Sequence, residues 1–419
     1  MLGSCAARVL RHGGAFVAKR RMTASALTHT IPHTERPGEL WAWGHSDEGS
    51  VRTPTNMADS VGPCVHASCG LYHYGALTAD GQLLTWGRGE GGRLGNREGT
   101  FSMNRGGAIP LHNPDPFPVD VTTPLIDPES EYGVREEDMP FIVGSALGGL
   151  HTLILMSDGR VMACGFRRLG QLGIGMSSSG TQHSPTQILG LRPAVSIAAG
   201  GSHSAAVCDD GNVYTWGRSA QGRLGFRNVP ETVHEPKCVE VMSGLGIGTV
   251  VCGGFHTAAL AVDGKRLWMW GGGENGELGN SQAVNQQEPS LVQELQGEPL
   301  KAVSLGGFHS AAITESGDVL TWGMGTVGQL GHGNIDRQLI PRRVVGLPPA
   351  QQVSCGGSHT MVLDKEGKVW AFGTNGDYQL GIPKISTSLA PRMIESFGDH
   401  KVSFVSAGGA LSCAIVATD

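Results

Sequence analysis

Short apolar runs alternate with polar residues along the whole chain, and turn signals separate them. In residues 203–217, two such runs flank Asp210-Gly211, which is the pattern of a β-hairpin. No stretch keeps the 3.6-residue apolar period, with caps, of an amphipathic helix. The pattern therefore predicts an all-β protein built from short strands and tight turns.

The hairpin belongs to a unit that recurs about every fifty residues. The six complete units share a histidine, a turn, a glycine preceded by Trp, Phe or Cys about 13 residues after the histidine, and a Leu-Gly pair about 21 residues after it. A glycine pair precedes the histidine in every unit except the first, which has Gly70-Leu71. The six histidines are His73, His151, His203, His256, His309 and His359. The six leucines are Leu94, Leu172, Leu224, Leu278, Leu330 and Leu380. Such a fixed period indicates a repeat architecture.

A seventh unit is divided between the two ends of the chain. Gly408-Gly409 begins another copy, with Leu411 in the histidine position, and the matching Trp43-Gly44 stands near the start of the chain. Seven units of four short strands predict a seven-bladed β-propeller whose ring is closed by pairing of the N- and C-terminal segments. This pairing would also remove exposed sheet edges.

The repeat resembles that of the regulator of chromosome condensation family, in which Gly-Gly-x-His is followed by Asp-Gly, Trp-Gly and Gly-Gln-Leu-Gly. Residues 170–173 and 328–331 match the last motif letter for letter, and the resemblance extends from about Leu40 to Val416. It implies the propeller fold and two alternative functions. Organellar members imply a non-catalytic protein-interaction platform, in a ribosomal or RNA-processing assembly. The nuclear founder implies guanine-nucleotide exchange on a small GTPase.

The N-terminal segment differs from the repeats in composition. Five basic residues and many Ala and Ser residues precede the first acidic residue, Glu35. Residues 1–34 are therefore interpreted as a mitochondrial targeting segment, with the matrix as the destination. A basic arm that binds an anionic partner is the alternative interpretation of the segment, and the chloroplast or the cytosol is the alternative location.

The remaining body, residues 35–419, is acidic and rich in glycine. The chain has 65 glycines in 419 residues and a net charge of −6, and the body alone has 26 basic against 37 acidic residues, a net charge of −11. We expect no direct DNA binding, because phosphate backbones are bound through Lys and Arg. No uninterrupted apolar run reaches 18 residues, so we expect no membrane span. A monomeric propeller within a larger complex is expected.

The sequence predicts no enzyme, cofactor site or metal site. Three Gly-x-Gly-x-x-Gly matches, at 87–92, 271–276 and 323–328, occupy one repeat position and precede Leu-Gly rather than a helix, so they are interpreted as turns. Cys64 and His66 stand near Cys69 and His73, but the latter two occupy ordinary repeat positions. The repeat histidines are interpreted as structural, each fixed by a hydrogen bond to a neighbouring loop.

One unit contains an insertion, residues 97–140, that is rich in proline and acidic residues. Insertions in repeat proteins form loops on one face, which is often the binding face. The insertion is therefore the predicted partner-binding site, and a passive surface loop is the alternative. The candidate partner-binding residues are Asp115, Phe117, Glu129, Glu131, Tyr132, Glu136, Glu137 and Asp138.

Overall fold

In the computed structural model each repeat unit contributes four antiparallel strands; five units form separate sheets, and the other two are joined into one eight-stranded sheet where Gly38 pairs with Cys64. The structure describes residues 34, 36–46, 49–95, 112–119, 140–176 and 180–418. The sets of four strands are called blades 1 to 7 in the order of the repeat units. The predicted all-β, seven-bladed propeller is confirmed, because each unit forms one blade.

The blades use the predicted hairpins as their inner strands. In chain order within each blade, blade 1 contains β3 Cys64–Cys69, β4 His73–Thr78, β5 Leu83–Arg88 and β6 His112–Pro118. Blade 2 contains β7 Ile142–Leu147, β8 His151–Met156, β9 Val161–Phe166 and β10 Thr181–Gln187. Blade 3 contains β11 Ala194–Ala199, β12 His203–Cys208, β13 Val213–Arg218 and β14 Thr232–Cys238.

The following blades repeat this order. Blade 4 contains β15 Ile247–Cys252, β16 His256–Ala261, β17 Leu267–Gly271 and β18 Gln286–Leu291. Blade 5 contains β19 Leu300–Leu305, β20 His309–Thr314, β21 Val319–Gly323 and β22 Gln338–Arg343. Blade 6 contains β23 Ala350–Cys355, β24 His359–Asp364, β25 Val369–Thr374 and β26 Thr387–Met393. A one-turn helix, α1, spans Ala58–Val61, and short 3₁₀ turns span Glu90–Gly92, Ala220–Gly222, Glu240–Met242, Gln293–Leu295 and Glu395–Phe397.

Both ends of the chain contribute to blade 7, as the split repeat predicts. It combines β27 Val402–Ala407 and β28 Leu411–Ala417 with β1 Gly38–Ser46 and β2 Gly49–Asn56. β28 and β1 pair along their length, from Gly38 opposite Ala417 to Gly44 opposite Leu411. The predicted pairing of the N- and C-terminal segments is thus present.

The predicted insertion is not one continuous loop. Residues 112–118 form β6, which pairs with β5 and is the outermost strand of blade 1. The loop interpretation of 97–140 is therefore wrong for these residues, because β5 would otherwise have an unpaired edge. The additional residues divide into two stretches, 96–111 before β6 and 120–139 after it, and both lie outside the described residues.

Apolar residues are buried mainly between neighbouring blades. Each of the seven clusters of buried apolar side chains joins two adjacent blades. In the cluster between blades 7 and 1, for example, Leu40 and Ile415 pack with Ala76 and Trp86. The core is therefore divided into seven clusters, one at each contact between neighbouring blades. We call such a contact a joint.

Paired glycines let the blades approach closely around the central axis. Gly149 donates its backbone N–H to the carbonyl of Gly200, at 3.0 Å, and equivalent bonds connect every adjacent pair of blades, including Gly409 to Gly70 at 3.1 Å. A Cβ atom on Gly148 would lie 2.6 Å from the Gly200 oxygen. The glycine pairs are required by this close approach, and their turns line a narrow axial cavity of about 110 Å³.

Removal of residues 402–419 is expected to prevent stable folding. The truncation deletes β27 and β28, which leaves the buried side of β1, including Trp43, without its partner strand. The loss of these contacts exceeds the marginal stability of a typical domain of about 5–15 kcal/mol. Thermal unfolding followed by circular dichroism checks this expectation. A truncated protein with the melting temperature of the full chain would contradict the role of the paired ends.

Candidate binding site

The predicted partner-binding residues fall into two groups. The backbones of Asp115 and Phe117 lie in β6, where Phe117 pairs with Thr85 of β5. The other predicted residues lie outside the described residues: Glu129, Glu131, Tyr132, Glu136, Glu137 and Asp138. The partner-binding role of both groups remains a prediction.

The two inserted stretches start from opposite faces of the ring. β6 is antiparallel to β5, so Gly95 and His112, which flank the first stretch, lie at the face that carries the glycine pairs and the Leu-Gly loops. We call this the loop face. Val119 and Pro140 flank the second, acidic stretch and lie at the opposite face, which carries the hairpin turns such as Asp210-Gly211 and is called the hairpin face.

The repeat histidines hold neighbouring blades together. His203 Nε2 lies 2.9 Å from Thr257 Oγ1 of the next blade, and that hydroxyl donates to the Arg223 carbonyl of the blade that carries the histidine, at 2.8 Å. Every repeat histidine contacts such a hydroxyl at 2.8–3.0 Å. The six pairs are His73–Thr152, His151–Ser204, His203–Thr257, His256–Ser310, His309–Thr360 and His359–Ser412.

This arrangement fixes the protonation state of the histidines. Because the Thr257 hydroxyl donates its own hydrogen to a carbonyl, it must accept from His203, so Nε2 carries the ring proton. Nδ1 is then unprotonated, buried and without a hydrogen-bond partner within the described residues. Burial, followed by the nearby Arg93 charge, lowers the pKa of His151 to about 3, and burial lowers the pKa of His309 to about 4. These groups are unsuited to proton transfer near neutral pH.

The cysteines and the other metal-binding residue types do not form a reactive centre in the part of the chain that the structure describes. Burial raises the pKa of the Cys64 and Cys355 thiols to about 12. Among the described residues, no group of three or more His, Cys, Asp or Glu side chains could hold a metal ion. His66 instead contacts the Ser145 carbonyl at 3.2 Å. None of the helices described here has the length and apolar character needed to cross a bilayer.

The joint between blades 7 and 1 differs from the other six. Leu411 replaces the histidine, and Tyr74 replaces the small hydroxyl residue of the next blade. The Tyr74 hydroxyl donates to the Trp43 carbonyl at 2.9 Å, and its ring stacks on Trp86 at a centroid distance of 5.2 Å. This unit also has no Leu-Gly pair after Trp43-Gly44. The histidine–hydroxyl pair and the Leu-Gly loop that fill the other joints are thus both absent from this one.

A cavity of about 450 Å³ opens at this joint, on the loop face. Its volume lies within the ~300–1,000 Å³ that is typical of ligand sites. The lining is mostly apolar and comes from both blades, with Val51 and Leu411 from blade 7 opposite Leu71 and Trp86.

Charged side chains surround the mouth of the cavity. The Arg88 guanidinium lies 5.1 Å from the centre of the Tyr72 ring, and His45 Nδ1 lies 3.7 Å from an oxygen of Asp377 in blade 6. All four side chains line the cavity. A mostly apolar interior with a few polar groups at its edge is the composition of a binding site for an uncharged or amphipathic group.

Sequence reasoning noted Leu411 but missed the cavity. The available signals were the coincidence of Leu411 with Tyr74 and the absence of a Leu-Gly pair from the same unit. The cavity itself depends on how two distant chain segments pack, which the repeat pattern does not specify. The predicted insertion and the observed cavity are therefore separate candidate sites.

The chain belongs to the RCC1-like domain family, whose model matches residues 128–419. This confirms the family resemblance inferred from the repeats. The chain is 34% identical, over 304 residues, to the mitochondrial RCC1 domain-containing protein RUG3 of Arabidopsis thaliana, a match that covers 71% of this chain and 62% of RUG3. It is also 32% identical to the human E3 ubiquitin-protein ligase HERC2 over 321 residues, 74% of this chain but 6% of HERC2.

A solved structure confirms the architecture at greater evolutionary distance. Prp20p of Saccharomyces cerevisiae superposes with a TM-score of 0.79 and 19% identity, covering 93% of this chain and 94% of that structure. At this identity the likeness establishes the fold alone. The match spans less than two thirds of RUG3 and a small part of HERC2.

Acid is expected to destabilise the protein through the buried histidines. Burial lowers the folded-state pKa of all six below the unfolded value of 6.5, to about 3 to 4 for His151, His256, His309 and His359, so the unfolded state binds more protons over this range. Stability is fully present above pH 6.5 and falls as the pH decreases, by up to about 1.4 kcal/mol per histidine for each pH unit. Urea unfolding between pH 7.5 and 5 measures this effect above the main carboxylate titrations.

The matched variant is His309→Leu, which copies the natural Leu411 of blade 7. It should be less stable at pH 7.5. Its unfolding free energy should fall less steeply with decreasing pH, because about one proton fewer is taken up on unfolding. A midpoint that stays constant from pH 7.5 to 5 in both proteins would contradict the neutral histidines.

Proposed function

We propose that this chain is a non-catalytic protein-interaction platform of the mitochondrial matrix, in a ribosomal or RNA-processing assembly. The observation that carries the proposal is the use of the repeat histidines: all six are buried at 0% exposure and occupied in holding blades together. What remains for function is the shape and charge of the two faces.

Two independent features support the mitochondrial location. Residues 1–34 are basic and lack acids until Glu35, which is typical of a transit peptide. The relative RUG3 is described as mitochondrial, and it is 34% identical to this chain over 304 aligned residues.

The acidic stretch that follows β6 is the proposed contact for a basic protein surface. Its candidate residues are Glu129, Glu131, Tyr132, Glu136, Glu137 and Asp138, and it is connected to the hairpin face through Val119 and Pro140. Concentrated negative charge would steer the encounter with a basic partner and would contribute less to affinity. Asp115 and Phe117 belong to the same proposed contact through the neighbouring outer strand, β6.

Guanine-nucleotide exchange on a small GTPase is the second candidate function. The observation that favours it is the shared fold with Prp20p, whose structure was described together with its binding to Gsp1p and histones. The chain and Prp20p share only 19% identity, so no exchange residue can be transferred from one to the other. An acidic body also favours a protein partner over chromatin.

Affinity purification of the tagged full chain from isolated mitochondria tests the platform directly. We expect ribosomal or RNA-processing proteins to be recovered with it. A Gly-Ser link in place of residues 121–138 should abolish recovery of the main partner with little change in thermal unfolding, because it leaves β6 in place. The control variant has the same link in place of residues 97–110 and should retain the partner.

The outcomes separate the two functions. Recovery of one GTPase, with accelerated nucleotide release when the purified chain is added, would replace the platform with exchange activity. Normal recovery of the partner by the 121–138 variant would exclude the acidic stretch as the contact. A tagged full chain that does not sediment with mitochondria would contradict the proposed location.

A further inference from the structure

In six joints, a leucine from one blade seals the contact with the next. Leu172, Leu224, Leu278, Leu330 and Leu380 are at most 1% exposed, and Leu94 is 2% exposed. Leu278, for example, packs in the same apolar cluster as Trp322 of the following blade. Both side chains are almost fully buried, so together they exclude water from this joint.

In four of the six joints, the residue before the leucine supplies a hydrogen-bond acceptor to the tryptophan of the next blade. Trp322 Nε1 donates to the Glu277 carbonyl at 2.8 Å, and Trp216 Nε1 donates to the Gln171 carbonyl at 3.0 Å. Trp270 and Trp43 make the same bond, to Arg223 and Gln379. A leucine side chain and the preceding carbonyl therefore form one recurring pair of contacts for an aromatic residue.

Trp86 of blade 1 occupies the same position but receives neither contact from blade 7. The sequence has no Leu-Gly pair between Trp43-Gly44 and β3, and β2 follows β1 through a short connection. Within the part of the chain described here, Trp86 Nε1 has no hydrogen-bond acceptor, while Trp86 lines the 450 Å³ cavity. The cavity thus lies against the tryptophan face that a leucine covers elsewhere.

We propose that this cavity binds a leucine-bearing loop of a partner protein. The leucine side chain enters the apolar interior between Val51 and Trp86, and the carbonyl that precedes it accepts a hydrogen bond from Trp86 Nε1. The inference rests on the proposed function as an interaction platform and names the chemistry of a partner segment. It places this contact on the loop face, away from the acidic stretch at the hairpin face.

The chemistry of the cavity favours this occupant over a charged ligand. The interior is lined by apolar side chains such as Ala42 and Met57, and a charged group would lose its hydration there without a buried counter-charge. Both signs of charge are present at the mouth, on Arg88 and Asp377, so neither sign is selected. The four joints with a tryptophan demonstrate that the same kind of surface accepts a leucine and a backbone carbonyl.

A head-to-tail cyclised peptide with the sequence of residues 325–334, which contains Gly-Gln-Leu-Gly, is the probe for this site. Cyclisation reduces the entropy that the loop loses on binding. Titration into the full-length protein, followed by calorimetry, should give saturable binding at one site. The same peptide with Leu330→Asp should bind at least tenfold more weakly. Absence of saturable binding, or equal binding of the two peptides, would overturn the proposal.

Two variants of the protein locate the binding. Trp86→Phe should weaken the peptide about two- to tenfold by removing one hydrogen bond, and it should lower the unfolding temperature less than its control because Trp86 Nε1 has no hydrogen bond to lose among the described residues. Its control, Trp322→Phe, should lower the unfolding temperature but leave peptide affinity unchanged; Phe372 shows that this repeat position accepts phenylalanine. Val51→Trp should fill the cavity and abolish binding. Full affinity in both Trp86→Phe and Val51→Trp would place the peptide elsewhere and overturn the proposal.

The peptide titration and the purification from mitochondria can fail independently. The titration alone decides whether the cavity accepts a leucine-bearing loop. If the unaltered chain recovers no partner, the proposed platform function is wrong even if the peptide binds. Loss of a partner from Val51→Trp would support the site in its natural setting, whereas normal recovery of every partner would overturn its use as a docking site.

Discussion

A single buried carbonyl organises each regular joint of this propeller. The Arg223 carbonyl accepts from Thr257 at 2.8 Å and from Trp270 at 3.0 Å, and Thr257 in turn accepts from His203. Three segments of two blades therefore meet at one oxygen. Each such buried bond contributes about 1 kcal/mol, but removing one donor leaves a buried group unsatisfied and costs about 1–3 kcal/mol. Replacing only one of the hydrogen-bonding residues in a joint is therefore expected to destabilise the protein.

The glycine pairs and the neutral histidines follow from this constraint. The blades can bring hydroxyl and carbonyl together only where no Cβ separates their turns, as at Gly148 and Gly200. A histidine in such a dry joint stays neutral because protonated Nδ1 would have no acceptor among the described residues. The joint between blades 7 and 1 lacks this arrangement, because Leu411 replaces the histidine and Tyr74 replaces the small hydroxyl residue. The cavity lies at this joint. The regular joints are filled by these contacts, and the exceptional joint contains the cavity proposed as a binding site.

The sequence was sufficient to predict the architecture because the repeat is periodic. Hairpins such as 203–217 and the split unit at Trp43 and Gly408 specify strands, blade number and the pairing of the chain ends without knowledge of distant contacts. It was insufficient for β6, because its prolines and acidic neighbours resemble a loop and only the open edge of β5 requires a strand. The cavity was also missed, since its walls come from residues more than 300 positions apart, such as Val51 and Leu411.

The most direct test of this account is the coupling free energy between His203 and Thr257. A double-mutant cycle with His203→Ala and Thr257→Val, measured by urea unfolding at pH 7.5, isolates the interaction between them. We expect a coupling of about 1 kcal/mol or more, whereas His203→Ala with Thr360→Val, which affects a different joint, should be additive within about 0.5 kcal/mol. A coupling near zero between His203 and Thr257 would contradict the claim that these bonds hold the blades together.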